Sequence, residues 1–230
     1  MPKYKMFPKS SMRHRIVKSG MKTLAVIIGV ITCFVVLFTA YQYQVSDNRD
    51  RTGDKQLSQQ VLDYQPLLQK YLKKHGLEDY TGILLALMMQ ESGGRGTDPM
   101  QSSESYCGAI GCIDDPELSV KQGVAHFAHV LGQADGDVRL ALQSYNFGPG
   151  FIRYVNERGG KYTEELAVDY SAKMYEKLKS SIEFRCIREE SKELNACYGD
   201  IKYVDAVLAY YEDAKTVTDG DKVLIAMNES

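Results

Sequence analysis

A run of twenty uncharged residues at positions 24–43, LAVIIGVITCFVVLFTAYQY, constrains this chain more than any other feature. At ~1.5 Å per helical residue such a run reaches about 30 Å, the thickness of a hydrocarbon core. Its polar interruptions are confined to Thr32, Thr39 and Gln42, and Tyr41 and Tyr43 sit where interfacial aromatics belong. Seven Lys or Arg and no Asp or Glu lie between Met1 and Ser46. The positive-inside rule therefore puts residues 1–23 in the cytoplasm and everything after residue 43 outside. A cleaved signal peptide is the competing reading. Against it, the run is long, and cleavage after Ala40 would set bulky Phe38 at the −3 position. The expected organisation is a basic N-terminus (1–23), one anchor (24–43), a polar linker (44–56), a domain (57–212) and a tail (213–230).

The exported part is acidic. All 30 Asp and Glu of the 230-residue chain lie from Asp47 onward, with 21 of the 28 Lys and Arg, a net charge of −9. That balance argues against phosphate-backbone binding, so nucleic acid is not an expected partner. Cys33 falls in the apolar run as a packing residue. Cys107, Cys112, Cys186 and Cys197 form an even set outside the membrane, where disulfides persist. Proximity favours Cys107–Cys112 and Cys186–Cys197, although four cysteines admit other connectivities and four reduced, buried thiols are the plainer alternative. No Cys-x-x-Cys or nearby His completes a zinc set, and no metal or cofactor is expected.

Residues 57–212 read as all-α. Leu57, Val61, Tyr64, Leu68, Tyr71 and Leu72 recur at helical spacing up to Gly76. Residues 80–90 are almost wholly apolar. Val120, Val124, Phe127, Ala128 and Leu131 make an amphipathic stripe over 119–134. Asp137 is placed to cap a helix that ends at Gly148-Pro149-Gly150. Helices are also expected at 163–180 and 201–212, with irregular loops at 92–118 and 184–199. No convincing strand alternation, repeat or low-complexity tract is present.

Three short stretches could carry chemistry. In Met88-Met89-Gln90-Glu91-Ser92-Gly93-Gly94, Ile83, Leu87 and Glu91 fall within about 80° on one helix face. A carboxyl group thus closes an apolar face just before glycines stop the helix. Low dielectric and the negative end of the helix dipole both disfavour its charge, which suits a general acid. Taken alone, a Glu at a helix end is more simply solvated surface. Asp98-Pro99-Met100-Gln101-Ser102-Ser103-Glu104-Ser105 is a polar loop within reach of Glu91, suited to sugar hydroxyls but equally to a solvated turn. Ser144-Tyr145-Asn146-Phe147-Gly148-Pro149-Gly150 ends a helix, where Tyr145 and Asn146 face a cleft or Tyr145 joins the core.

In this order, with Gly123-Val124-Ala125-His126-Phe127 between the last two, these elements carry a resemblance. Residues 57 to about 179 resemble the helical domain of the goose-type lysozyme and soluble lytic transglycosylase superfamily. The Glu-Ser-Gly, Met-Gln and Tyr-Asn-x-Gly-Pro-Gly elements match its signature, and Tyr170 in Val168-Asp169-Tyr170-Ser171 falls where its third block lies. The Asp98–Ser105 wording is similar to membrane-anchored cell-wall lysozymes of Gram-positive bacteria and their conjugative elements. The resemblance implies that Glu91 protonates the bond between N-acetylmuramic acid and N-acetylglucosamine in peptidoglycan. It also implies that Gln101, Tyr145 and Asn146 line the glycan cleft and that Tyr170 orients Glu91. Partners would be glycan strands, the membrane, and a division, secretion or conjugation apparatus.

Departures from the family bear on the reaction. Many lytic transglycosylases carry Gly-Leu before Met-Gln, whereas Asp98-Pro99 stands here, which favours hydrolysis over formation of a 1,6-anhydro end. Inverting hydrolysis wants a second carboxylate, for which Glu104 and Asp98 lead, with Asp114 and Asp115 also available. Larger relatives carry a peptidase domain that a chain ending at Ser230 has no room for, so peptide cleavage is not expected. Helical geometry turns His126 and His129 away from the stripe and towards solvent. No phosphate loop or nucleophile elbow is present. The rival readings are a catalytically silent wall-binding scaffold and a disulfide-stapled adhesin.

Overall fold

The computed structural model describes residues 55–218. The expected cytoplasmic segment, the anchor at 24–43, the linker before residue 55 and the tail beyond residue 218 lie outside the described residues. Among the described residues no helix is long and apolar enough to cross a membrane, and no strand occurs.

The helices follow in the order α1 (Gln59–Leu62), α2 (Gln65–Leu72), α3 (Thr81–Glu91), α4 (Ser103–Cys107) and α5 (Pro116–Gln133). After them come α6 (Val138–Phe147), α7 (Gly150–Asn156), α8 (Glu164–Leu178), α9 (Glu189–Glu193) and α10 (Tyr203–Ala214). The first periodic segment is therefore two helices and a short 3-10 turn, Lys73–His75, rather than one continuous helix. Pro66 is the reason. It lacks an N–H, and in a continuous helix its ring would press on the carbonyl of Leu62, so the chain restarts with Pro66 in the first turn of α2. Asp115 accepts from the N–H groups of Glu117 and Leu118, at 3.1 and 3.3 Å, and with Pro116 starts α5 three residues before the apolar stripe. Asp137 caps α6 as expected, accepting from Leu140 N–H at 2.9 Å. Short helices α4 and α9 stand inside the segments read as irregular, and α7 follows directly on the Gly-Pro-Gly break.

Helix α3 is the centre. Thr81 through Met88 are all buried, so it is covered on every side. Its most extensive partner is α10. Gly82 permits that approach, since a Cβ there would stand 3.0 Å from the Tyr211 ring. Helix α5 packs on α2 and α6, α6 on α7 and α10, and α7 on α8. Two disulfides close the pairs that proximity favours, Cys107–Cys112 and Cys186–Cys197, with Cα atoms 6.8 and 4.5 Å apart.

One contact governs where the polar loop lies. Met100 is fully buried, and it packs so tightly on Gly123 of α5 that a Cβ there would meet Met100 Cβ at 2.6 Å. Ser119 Oγ accepts from Met100 N–H at 3.0 Å, which pins the same residue to the same helix. Gly123→Ala should overpack this junction at a cost of roughly 1–3 kcal/mol, lowering Tm by roughly 3 °C or more in a thermal melt. An unchanged melt would mean that Met100 yields freely and does not anchor the loop.

Candidate active site

Glu91 is the last residue of α3, and the chain must leave that helix without crossing α1. Gly93 and Gly94 accomplish this at φ of 66° and 79°, conformations costly for any side chain. A Cβ on Gly94 would also lie 3.2 Å from the backbone of Gln60 and Val61. Ser92 donates its hydroxyl to the carbonyl of Pro99 at 2.7 Å, joining the turn to the loop that follows. That loop is organised around Asp98. Its carboxylate accepts from the N–H groups of Ser102 and Ser103, at 2.9 and 3.0 Å, and from the hydroxyls of Ser103 and Ser119, both at 2.6 Å. Gln101 adopts a left-handed φ of 48° and donates from Nε2 to the Asp98 carbonyl at 2.8 Å. Tyr145, at the end of α6, donates its hydroxyl to the Met100 carbonyl at 2.8 Å.

The result is a cleft of about 500 Å³ walled by Glu91, Asp98, Gln101, Glu104, Tyr145 and Asn146, among others. These are six of the side chains singled out from the sequence, drawn from three separate segments. Removal from water pushes the Glu91 carboxyl from its ordinary 4.5 up to about 7. A hydrogen bond from the Tyr203 hydroxyl pulls it the other way, and the charge of Asp98 pushes it up again. For Asp98, burial opposes ionisation, but the bonds from Ser103, Ser119 and the backbone of Ser102 and Ser103 prevail and hold its carboxyl below the ordinary range. The cleft thus holds one acid that is protonated near neutrality beside one that stays charged. Glu104 is exposed on α4 at the cleft wall. Asp115 is spent as the cap of α5. Among the described residues no cluster of His, Cys, Asp and Glu could hold a metal ion.

Two expectations are corrected. The hydroxyl that bonds Glu91 belongs to Tyr203, not to Tyr170. Tyr170 is buried in an aromatic cluster, its ring 5.6 Å from Phe147, 5.2 Å from Phe151 and 5.1 Å from Tyr154, and its hydroxyl lies over Gly150. Its place beneath α7, rather than beside α3, keeps it from Glu91. His126 is half-buried rather than turned to open solvent. It lines the cleft with its ring 4.9 Å from that of Tyr145, and burial lowers its pKa despite a backbone hydrogen bond with Tyr145. The apolar stripe misjudged this side because the buried face of α5 also includes Ser119, Gly123 and Val130, which shift it towards His126. His129 is exposed, as expected. Tyr198 also lines the cleft, donating its hydroxyl to the Phe147 carbonyl at 3.1 Å. Tyr203 and Glu91 are 112 positions apart, and no local pattern links them.

A family model described as Lysozyme-like matches residues 58–211, two thirds of the chain. The chain belongs to the lysozyme-like family. Among its relatives is the bifunctional muramidase/DL-endopeptidase CwlT of Bacillus subtilis, 42% identical over 78% of this chain and 52% of CwlT. The uncharacterized membrane protein YocA of the same organism is 40% identical over 72% of this chain and 73% of its own length. This lysozyme-like chain therefore spans about half the length of CwlT and nearly three quarters of YocA. A crystal structure of a Staphylococcus aureus protein described as similar to lipoprotein, NLP/P60 family, superimposes with a TM-score of 0.60 at 36% identity, covering 68% of this chain and 54% of that one.

The raised acid has a signature in stability. An unfolded Glu loses its proton near 4.5, whereas Glu91 in the fold keeps its proton up to about 7. Its contribution is therefore fully present below 4.5 and is lost as pH rises to about 7, a change on the order of 3 kcal/mol. Glu91→Gln keeps an acceptor for Tyr203 and carries no charge. In denaturant titrations it should be more stable than wild type at pH 8, with the difference vanishing by pH 4.5. Equal stability across that range would place Glu91 in ordinary solvent contact.

Proposed function

We propose that this chain is a membrane-anchored peptidoglycan glycosidase that cleaves the β-1,4 bond between N-acetylmuramic acid and N-acetylglucosamine. The observation that carries this reading is Glu91, protonated near neutrality and opening onto a polar cleft of about 500 Å³. The relative named a muramidase supports the substrate class, and the relative named a membrane protein, together with the apolar run at 24–43, supports the anchoring.

In this reading Glu91 donates its proton to the glycosidic oxygen as the bond breaks. The sugar passes through an oxocarbenium-like state whose positive charge the ionised Asp98 stabilises from across the cleft wall. Gln101, Tyr145 and Asn146 offer amide and hydroxyl groups to the glycan. Hydrolysis needs a base to activate water, and Glu104 is better suited than Asp98 on a specific ground. Both Asp98 oxygens already accept strong hydrogen bonds, which weaken its appetite for a proton. The proposed enzyme is a muramidase of the goose type, held at the cell surface with its N-terminus inside, opening glycan strands for a division, secretion or conjugation apparatus. The alternative, attack by the substrate's own 6-hydroxyl to leave a 1,6-anhydro end, gains from the same engagement of Asp98, because that route needs no second base.

Zymography on purified cell wall tests the reading. The wild type should clear the gel and Glu91→Gln should not. Equal clearing by both would remove the acid assignment, and no clearing by either would leave a wall-binding scaffold. Mass spectrometry of the released fragments should find reducing ends, with Glu104→Gln lowering their rate by roughly 10²-fold or more. Anhydro ends made at the same rate by Glu104→Gln would establish the transglycosylase alternative.

A further inference from the structure

The segment between α8 and α10 carries no residue of the signature, yet a single buried residue in it, Asp200, ties three parts of the site together. Asp200 is 3% exposed. Arg188 forks onto it, Nε to Oδ1 at 2.6 Å and Nη2 to Oδ2 at 2.7 Å. Oδ1 also accepts from Lys202 N–H at 2.9 Å, at the entrance to α10. The backbone of Asp200 is used as fully as its side chain. Its N–H donates to Asn146 Oδ1 at 2.8 Å, and its carbonyl accepts from Gln143 Nε2 at 2.9 Å and from Tyr203 N–H at 3.1 Å. One residue thus fixes the rotamer of Asn146 in the cleft wall and the first turn of α10, from which Tyr203 reaches Glu91. The Cys186–Cys197 disulfide closes the same segment, two residues before Arg188 and three before Asp200. It brings the two charges to the same place.

We infer that the Arg188–Asp200 pair is a positioning device for the proposed acid: it sets Tyr203 and Asn146, and through Tyr203 it sets the hydrogen bond received by Glu91. The pair reaches Glu91 through backbone placement: the Asp200 carbonyl accepts from Tyr203 N–H at 3.1 Å, and the Tyr203 hydroxyl in turn donates to Glu91. A bidentate fork suits this task, because its planar geometry fixes direction where a lysine would fix only distance. The inference rests on the proposed function only for the word acid; the geometric claim stands on the hydrogen bonds.

Its test reads Glu91 directly, without turnover. The Glu carboxyl carbons of the full chain are labelled with ¹³C, and the Glu91 resonance is assigned by its loss in Glu91→Gln and titrated by NMR. Tyr203→Phe removes a donor that favours the charged form, so the Glu91 midpoint should move upward, by about one pH unit for a hydrogen bond to a charged group. Arg188→Gln should move it in the same direction, and Arg188→Lys by less. The double variant Arg188→Gln/Tyr203→Phe should move it no further than Tyr203→Phe alone, since both act through one bond. A structural brace remote from the site would leave the Arg188→Gln midpoint at the wild-type value, and that result overturns the inference; so would full additivity in the double variant. Should Arg188→Gln fail to fold, Asp200→Asn, which leaves the guanidinium one acceptor in place of two and so breaks the fork, is titrated in its place with the same expectation. Loss of wall clearing by wild type would remove the enzymatic reading and leave these midpoints to decide the positioning claim by themselves.

Discussion

The burial of α3 on every side decides how the site works. A helix with one wet face can end in a carboxylate at little cost, because water reaches the group. Here the residues before Glu91 are covered by α1, α2 and α10, so the carboxyl emerges into a cleft wall already stripped of most solvent. The negative end of the helix dipole points the same way. Keeping the proton is the cheaper solution, and the group is pushed up to about 7. Tyr203 moderates this. By donating to Glu91 it favours ionisation and so keeps the carboxyl able to release its proton near neutral pH rather than holding it permanently.

The neighbouring carboxylate is arranged on the opposite principle. Asp98 is surrounded by serine hydroxyls and backbone N–H groups, so its charge is compensated locally and persists. The same bonds build the loop that presents Gln101, and Met100 seats that loop against Gly123. Electrostatics and loop geometry are therefore one construction. A change that loosened the serine cage would alter both the charge beside Glu91 and the place of the glutamine beyond it. The two acids sit in one cleft with separated proton affinities because buried Glu91 receives the Tyr203 hydroxyl while Asp98 receives several donors.

Several parts were legible because short-range chemistry settles them. Asp137 and Gly148-Pro149-Gly150 bound α6 by capping and by a break that no helix continues through. The cysteine pairing followed from proximity. Glu91 was marked by its position at the end of an apolar face. Other parts were not legible. The division of α1 from α2 turns on Pro66, whose effect outweighs an unbroken apolar periodicity. The stripe Val120, Val124, Phe127, Ala128 and Leu131 turns His126 to solvent, whereas Ser119, Gly123 and Val130 are buried as well and widen the covered face of α5 towards it.

By itself the sequence determined the helical class, the stapled loops, the acidic body behind an apolar run, and the segments that meet in the cleft. Those properties depend on period, charge and spacing within a few residues. Tertiary structure alone decided which tyrosine touches Glu91. Tyr170 and Tyr203 are both helical tyrosines after Gly148-Pro149-Gly150, and only the docking of α10 along α3 brings one of them to the carboxyl while α7 covers the other. The partner of a buried acid is fixed by which surfaces pack together, and that is a property of the whole chain rather than of any stretch of it.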